Sequence, residues 1–361
     1  MVYSIKTIKP AGGGDFTTLA TWESWAITDA ATSGHGDYWA ECYDGGDMGD
    51  IQMNSTWDTY TSPTQYPRIY TNKDQRHDGT ITSGGAYLYG TPNFDCKYFR
   101  IEGIKIIKDA VDPINIRTVS YAHIDSCLFI IDRFTNDSTF IMFSPYQPVS
   151  GVIFSNNIIY VSTTGYAFSH VIDIVASNDS DITEIFLYNN TIYRGDVAAG
   201  ITFSATGVKT TPILNVTLYN NIVYGIPLTG ASYYKFSGII NFTADYNCGS
   251  DGTATSVLGG THNLDNQTAT DLFVNPTSDV TLLETSPCKN AGTTIGSFNW
   301  DALHISSDNW RPQGSAWDMG ALELYQAPTT NIKAVLGVTY NSLNKISGVS
   351  KALISKINGL A

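Results

Sequence analysis

A short pattern of alternating apolar and polar residues occurs five times in the middle of the chain. The copies are 101–107, 124–130, 154–160, 187–193 and 218–224. Measured at the fourth residue of each copy, the steps are 23 (104 to 127), 30 (127 to 157), 33 (157 to 190) and 31 residues (190 to 221). A weaker sixth copy at 245–248 has its anchor 26 residues further on, at position 247. A period of roughly 20–50 residues indicates a stacked architecture.

Each copy has the composition of a β-strand. The copies are short, rich in β-branched and aromatic residues, and bounded by Gly, Asn, Asp and Ser, as strands commonly are. No helical segment separates them, so each coil of 23–33 residues would hold two or three short strands. Such coils pair only with their neighbours, at a spacing of roughly 4.8 Å. The pattern therefore predicts a parallel β-solenoid.

Asparagine pairs occupy the middle of the later copies. The second member of each pair is Asn157, Asn190 or Asn221. An inward-facing asparagine at a coil corner can bond to the backbone of the coils above and below, as stacked asparagines do. Because Ile104 and Cys127 stand at this position in the first two copies, we expect the ladder to begin at Asn157.

The repeats resemble the right-handed parallel β-helix superfamily, which includes pectate lyases, polygalacturonases and phage tailspikes. The resemblance covers most of residues 1–326. Residues 11–26, with Ala-Gly-Gly-Gly-Asp-Phe-Thr-Thr-Leu at their start, look like the opening of such proteins, in which a short helix caps the first coil. Leu19, Trp22 and Ala26 recur there at helical spacing.

Three segments near the C-terminus are similar to the closing coils of bacterial and phage β-helices. They are 286–292, 311–314 and 318–323. The resemblance implies an all-β protein, a single-stranded right-handed parallel β-helix. We expect an N-terminal strand and capping helix in 1–40, the β-helix body in 41–326, and a separate tail in 327–361.

The tail consists of an 11-residue repeat. Gly337, Gly348 and Gly359 mark its period. From residue 326 onward there are four lysines and no acidic residue. A basic, apolar segment of this kind predicts docking or assembly, and the repeat resembles C-terminal appendages of phage proteins. The alternative is a small cap on the last coil, and both a helical turn and a strand–turn conformation fit the pattern.

The residues expected to dock the tail occupy equivalent positions of the repeat. They are Ile332, Val335, Leu343, Lys345, Ile346, Ile354, Lys356 and Ile357. The predicted partners are other virion or assembly proteins.

Composition excludes some classes of function. The net charge is −13 and no basic patch or nucleic-acid motif is present, which argues against binding a phosphate backbone. No stretch approaches 18 apolar residues, so no membrane partner is expected. The five cysteines and six histidines are scattered, without the spacing of a zinc site. We therefore expect no cofactor and no metal.

The start of the chain bears on localisation. Residues 1–6 lead directly into the first strand without a charged-then-apolar leader. Phage structural proteins are assembled in the host cytoplasm and need no leader. We therefore expect a virion surface protein, and otherwise an extracellular one.

The densest acidic run is a weak candidate for a cation site. Asp44, Asp47 and Asp50 alternate with glycines at every third position. Carboxylate oxygens suit a hard cation, but the spacing matches no established calcium loop. A solvated, turn-rich loop explains the run better.

Charged residues just after the repeated strand are the candidate catalytic groups. Aligning the repeats brings Asp132 and Arg133 toward Arg194 and Asp196, with Val161 interrupting the column. Paired carboxylates in a groove would suit glycoside cleavage. A surface ladder of compensating charges, which contributes little to stability, is the favoured alternative.

Tyrosines supply a candidate binding surface. Tyr160, Tyr193 and Tyr224 occupy the same repeat position and should stack into a column. An exposed column would be a platform for sugar rings, whereas a buried one would be packing. The sequence leaves both open.

These observations predict a phage virion surface structural protein. Its role would be decoration, a fibre or a spike, for display on the particle or adhesion to glycans. Trimers are implied by resemblance to tailspikes alone. The alternatives are a pectate-lyase-like polysaccharide lyase or hydrolase, and a cellular extracellular adhesin or filament-forming surface protein.

Overall fold

Parallel strands that return once per coil build three sheets. The computed structural model describes residues 4–108, 114–117, 121–131, 139, 141–143, 151–161, 168–177, 182–194, 197–206, 213–224, 231–295, 311–312, 314–324, 334–335, 338–339, 345–346 and 349–350. The chain divides into two compact units, Met1–Leu324 (the body) and Tyr325–Ala361 (the tail).

The body has nine strands in sheet A and seven each in sheets B and C. Sheet A comprises Ser4–Ile8, Tyr38–Cys42, Arg68–Thr71, Tyr98–Glu102, Tyr121–Asp125, Val152–Ser155, Ile182–Tyr188, Ile213–Tyr219 and Ile239–Asp245. Sheet B comprises Tyr87–Tyr89, Lys105–Lys108, Leu128–Ile131, Ile158–Val161, Thr191–Arg194, Ile222–Tyr224 and Cys248–Gly249. Sheet C comprises Gln52–Met53, Asn93–Phe94, Ile114–Ile116, Ile141–Phe143, Phe168–Ser177, Val197–Thr206 and Ala231–Ser237.

The strand order confirms the predicted parallel β-solenoid. Each full coil visits sheets C, A and B in turn, and every neighbour within these sheets is parallel. Register follows the sequence repeat, so Ile101, Ile124, Phe154, Leu187 and Leu218 stack on one another inside sheet A. These side chains are buried. The all-β architecture is consistent with a right-handed parallel β-helix.

The corner between sheets A and B explains the asparagine pairs. The first residue of each pair has a left-handed backbone, with φ of 53° at Asn156, 53° at Asn189 and 59° at Asn220. Asparagine tolerates this conformation better than most residues. The sharp bend turns the chain from sheet A to sheet B and directs the second asparagine inward.

The second asparagines form the predicted ladder. The Oδ1 atom of Asn190 accepts hydrogen bonds from the backbone N–H and the Nδ2 of Asn157, at 3.0 and 3.1 Å. Its own Nδ2 donates to the carbonyl oxygen of Phe154 at 2.8 Å and to Oδ1 of Asn221 at 2.9 Å. Asn221 makes the same contacts with Asn247. These buried amides are thus satisfied from coil to coil.

The ends of the ladder also follow the sequence. It starts where Asn157 accepts a hydrogen bond from the backbone of Cys127, at 2.9 Å. It extends past the weak sixth copy, because Asn263 accepts from the backbone of Asn247 at 2.8 Å. The ladder therefore secures the corners from Cys127 onward, whereas the earlier corner at Gly103 is held by Thr71, whose hydroxyl donates to the Gly103 carbonyl oxygen at 3.0 Å.

A helix covers the N-terminal end of the solenoid. It spans Leu19–Ser33, with Thr18 as N-cap and Gly34, in a left-handed conformation, at its C-terminus. Leu19, Trp22 and Ala26 are buried, as their spacing predicted. A 3₁₀ helix at Ser55–Thr59 packs alongside through Trp57, and a second lies at Lys73–Gln75.

The C-terminal end is covered by another helix. Thr253–Leu258 packs on the last strands of the three sheets and buries Ala254 and Leu258. It closes the last open coil, which was one of the two roles considered for the tail.

The described parts of residues 269–324 add no strand to sheets A, B or C, so they do not form the closing coils expected from resemblance. This return segment instead runs over the outer face of sheet B, where Ala321 N–H donates to Thr191 Oγ1 at 2.9 Å. It contains the helix Ala269–Leu272 and the antiparallel strands Phe273–Asn275 and Asp279–Leu282. The sheet B face is apolar, so it needs a cover more than the capped end does.

The tail contains short hairpins at the predicted 11-residue spacing. Ala334–Val335 pairs with Val338–Thr339, and Lys345–Ile346 pairs with Val349–Ser350, both antiparallel. Of the two conformations considered, the strand–turn is the one found there. Val335, Lys345 and Ile346 lie in these strands. The other candidate docking residues, Ile332, Leu343, Ile354, Lys356 and Ile357, lie outside the described residues.

Replacing one ladder residue should destabilise the body. Asn190→Ala removes the acceptor of Asn157 N–H and the donor to Phe154 O, in a corner that water cannot reach. We expect the free energy of unfolding to fall by about 3 kcal/mol, measured by chemical denaturation.

A matched control comes from an exposed asparagine pair. Asn241 donates to Asn215 at 2.9 Å on the solvent-facing surface of sheet A. Asn241→Ala should change stability by less than about 0.5 kcal/mol. Equal losses in the two variants would show that the ladder has no special role.

Candidate ligand-binding groove

The outer face of sheet A presents a band of charged and aromatic side chains. Strands alternate their side chains between two faces, and Phe99 and Ile101 point into the solenoid. Tyr98, Arg100 and Glu102 therefore point outward. The next strand places Tyr121, His123 and Asp125 beside them in register.

A groove of about 160 Å³ lies along this band. Its lining residues are Pro63, Tyr66, Tyr98, Phe99, Arg100, Tyr121, Ala122, His123, Gly151 and Ile153. Pockets that enclose a whole drug-sized ligand are larger, ~300–1,000 Å³. The groove could therefore take one ring or side group of a longer ligand lying across the coils.

Two arginines share one carboxylate beneath the groove. Arg68 and Arg100 both form ion pairs with Glu102. The guanidinium of Arg68 also lies 4.7 Å from the ring of Trp39 and 4.5 Å from that of Tyr70, a cation–π arrangement. These contacts hold Arg68 in one position. Burial lowers the pKa of both arginines.

Asp125 is saturated by neighbouring side chains. It accepts hydrogen bonds from Ser155 Oγ at 2.6 Å, Asn156 Nδ2 at 2.8 Å and Ser126 Oγ at 2.9 Å. Its oxygens are thus occupied by hydrogen bonds within the protein, which makes Asp125 a structural carboxylate.

His123 is neutral at pH 7. Burial lowers its pKa to about 4, the charges of Arg100 and Arg68 act in the same direction, and Asp125 opposes them. Its Nε2 lies 3.2 Å from Ser155 Oγ. Since that hydroxyl donates its proton to Asp125, the imidazole must be the donor in this contact.

The cluster contains serine, histidine and aspartate but is not arranged for nucleophilic catalysis. A nucleophilic serine must donate its proton to the histidine, which the carboxylate in turn orients. Ser155 instead donates to Asp125, and it is fully buried. The arrangement can bind and orient a ligand at the surface, but its serine cannot attack one.

Tyrosines form the upper wall of the groove. The rings of Tyr98 and Tyr121 are stacked, with centroids 5.8 Å apart and planes 10° from parallel. Tyr121 is 50% exposed. The pair therefore offers an outward aromatic surface next to Arg100.

The positive and negative groups of this cluster lie at different depths below the surface. The side chains of Arg100 and Arg68 are 34% and 23% exposed, whereas that of Glu102 is only 3% exposed. A ligand in the groove would therefore meet positive charge first, although the whole chain carries −13.

The acidic run proposed as a cation site forms a loop whose carboxylates serve the backbone. Asp44 accepts from Gly45 N–H at 2.8 Å, and Asp47 accepts from Gly49 and Tyr89 N–H at 2.9 Å each. Asp50 accepts from the backbone N–H of the next residue at 2.9 Å. Within the described ranges, no cluster of three or more His, Cys, Asp or Glu side chains could hold a metal ion.

The candidate catalytic column can be followed only in part. The strand ends carrying Lys108, Ile131, Val161 and Arg194 are in register, so the repeat alignment holds up to Arg194. Asp132, Arg133 and Asp196 lie outside the described residues, as does the side chain of Arg194.

The predicted tyrosine column forms on the outer face of sheet B. Ring centroids are 5.9 Å apart from Tyr160 to Tyr193 and again from Tyr193 to Tyr224. Phe273 of the return segment packs edge-on against the last two, at 6.4 Å. Tyr160 is buried and the other two are half-buried, so the return segment occupies the surface suggested for a sugar.

Sequence reasoning overlooked the sheet A groove. The signal was present, because Glu102 and Asp125 occupy the second position of consecutive repeats, each two residues after a basic or imidazole side chain. The contribution of Arg68, from an earlier coil without a recognisable repeat, left no such signal.

No family model matches the chain, and comparisons with curated proteins and with solved structures also found no match. No helix in the ranges that the structure describes has the length and apolar character needed to span a bilayer.

Removing the carboxylate shared by the two arginines should destabilise the body. Glu102→Gln leaves two guanidinium groups close together in a largely desolvated site. We expect the free energy of unfolding to fall by about 3 kcal/mol, measured from the denaturant midpoint.

The exposed pair between Lys289 and Glu284 supplies the control. Glu284 is 72% exposed, so Glu284→Gln should change stability by no more than about 0.5 kcal/mol. A Glu102→Gln variant as stable as this control would contradict the ion-pair assignment.

Proposed function

We propose that this protein is a structural surface protein whose solenoid binds glycans in the groove on sheet A. The observation that carries the proposal is the stacked pair of half-buried Tyr98 and exposed Tyr121 beside Arg100. Aromatic faces pack against apolar ring surfaces while leaving polar edges in water, which suits a sugar. Because Asp125 and Ser155 are committed to each other, the proposed activity is adhesion rather than turnover.

Because the arginines lie nearer the surface than Glu102, the groove favours a glycan that carries anionic groups. A sugar carboxylate could approach Arg100 from solvent, and arginine forms strong charge-assisted hydrogen bonds with carboxylates. The buried carboxylate of Glu102 would fix the two guanidinium groups without repelling the ligand directly, since it lies below the surface.

We further propose that the protein belongs to a phage virion, is assembled in the host cytoplasm, and docks through its tail to other virion or assembly proteins. Support comes from the resemblance of the basic 11-residue repeat to C-terminal appendages of phage proteins. The helix Thr253–Leu258 supports docking over capping, because it covers the last coil without the tail. A homotrimer is part of this proposal by resemblance only.

Loss of the exposed tyrosine should weaken glycan binding. In Tyr121→Ala the stacked wall beside Arg100 is lost, and we expect affinity for anionic polysaccharides to fall about tenfold, equivalent to about 1.4 kcal/mol. Binding of the full chain to an array of acidic and neutral polysaccharides would measure this.

Tyr89 provides a matched control, because it is 44% exposed on sheet B, away from the groove. Tyr89→Ala should bind as the parent does. If the parent chain binds no glycan, the proposal of adhesion at this groove is overturned. Equal losses of glycan affinity in the two variants would overturn it as well. Preference for neutral glycans would overturn only the anionic specificity.

The proposed location predicts where an antibody to the body binds. Immunogold electron microscopy of source material should place the label on capsids or tails. Particles assembled with a chain lacking residues 327–361 should lose that label, while the shortened body remains folded.

Two outcomes would contradict this location. Label on cells or cell-derived filaments, with bare particles, would favour the cellular adhesin. Unfolding of the shortened body, followed by circular dichroism, would show that the tail stabilises the solenoid rather than docking it.

A further inference from the structure

The column of tyrosines along the groove ends at a glycine. Tyr98 and Tyr121 pair in register on neighbouring strands, and their rings are stacked. His123 pairs with Ile153 on the next strand, so the position beside Tyr121 in that coil falls to Gly151. Gly151 lines the groove. The next coil therefore places no side chain over the second face of the Tyr121 ring, the face that points away from Tyr98.

An exposed carboxylate lies one coil beyond this gap. Val152 pairs with Ile185, which puts Glu184 beside Gly151, and the N–H of Gly151 donates to the backbone oxygen of Glu184 at 3.1 Å. Because Ile185 is buried in the solenoid, the exposed side chain of Glu184 lies on the outer face, as the groove does. Among the residues with a described position, Glu184 forms no ion pair.

The groove and its continuation thus carry opposite charges at their two ends. Arg100 supplies the positive charge, and Glu184 supplies the negative charge three strands further along sheet A. Neighbouring strands are about 4.8 Å apart, so the two groups are separated by roughly 14 Å along the solenoid axis. The open face of the Tyr121 ring lies between them. An extended saccharide of a few rings could reach both charges.

We propose that the groove selects a zwitterionic glycan, with a sugar carboxylate on Arg100 and a protonated sugar amino group on Glu184. This inference rests on the glycan-binding role proposed above and names the class of sugar. The ring between the two charged groups would pack on the open face of Tyr121, in the space that Gly151 leaves. Gly151 is then a specificity-determining residue, because a side chain there would occupy the position of the ring.

The arrangement of charge separates three classes of glycan. A zwitterionic chain gains both ionic contacts, and an ammonium group has three N–H donors to offer a carboxylate. A purely anionic chain gains the contact with Arg100 but brings like charge toward Glu184. A neutral chain gains neither contact. Complementary charges of this kind act mainly on the choice of partner.

Two polymers that differ in one functional group test the proposal. Hyaluronan alternates a sugar carboxylate with an N-acetylated amino sugar, and partial N-deacetylation exposes ammonium groups at neutral pH. We expect the full chain to bind the deacetylated polymer about tenfold more tightly, equivalent to about 1.4 kcal/mol. Binding would be measured at one ionic strength, and a sample that has been acetylated again would control for chain length.

Two variants that remove one negative charge each locate the effect. Glu184→Gln should abolish the preference for the deacetylated polymer without lowering the affinity for hyaluronan. The control Glu284→Gln removes a carboxylate that is 72% exposed on the return segment, and it should keep the preference of the parent chain.

The outcomes distinguish this inference from the role on which it rests. Equal binding of the two polymers by the parent chain, or the same preference in Glu184→Gln as in the parent, would overturn the zwitterionic specificity alone. So would binding of acidic polysaccharides from the array but of neither hyaluronan polymer. If the parent chain binds no polysaccharide at all, the glycan-binding role fails as well.

Discussion

The hydrogen-bonded asparagine ladder at the corner between sheets A and B is the constraint on which the stacked coils depend. A sharp bend in every coil turns backbone groups away from both sheets, and buried groups of this kind must find partners. Asn157, Asn190 and Asn221 supply them from their side chains and pass one further bond to the next amide. Each coil therefore fixes the height and register of its neighbour, which places outward residues in columns.

The columns of outward side chains differ between the outer faces of sheets A and B. On sheet B they are apolar, and the return segment covers them, so that Tyr160 becomes part of a core. On sheet A they are charged and aromatic, and Arg68, Arg100 and Glu102 satisfy one another across coils. Sheet A is also used for packing in its later coils, where Ile295 and Trp317 of the return segment lie against Tyr188. Around the groove, sheet A keeps aromatic and cationic groups at the surface.

Much of the fold was predictable because its determinants are local and periodic. The step between Asn157 and Asn190 defines a coil, and the pattern Leu19, Trp22, Ala26 defines the capping helix. The groove was less accessible to sequence reasoning. Arg68 and Glu102 are 34 residues apart, and only strand pairing makes them neighbours. The tyrosine column was predicted, but its cover, Phe273, lies in a segment without a repeat.

The sequence by itself determined the repeat, the strands, the position of the ladder and the 11-residue period of the tail. These follow from alternation and from side chains that act on their own or adjacent coils. Tertiary structure alone decided that the described parts of the return segment cover sheet B and that the groove lies on sheet A. The path of the return segment depends on which outer face presents the larger apolar surface, a property of stacked coils that no single stretch of sequence carries.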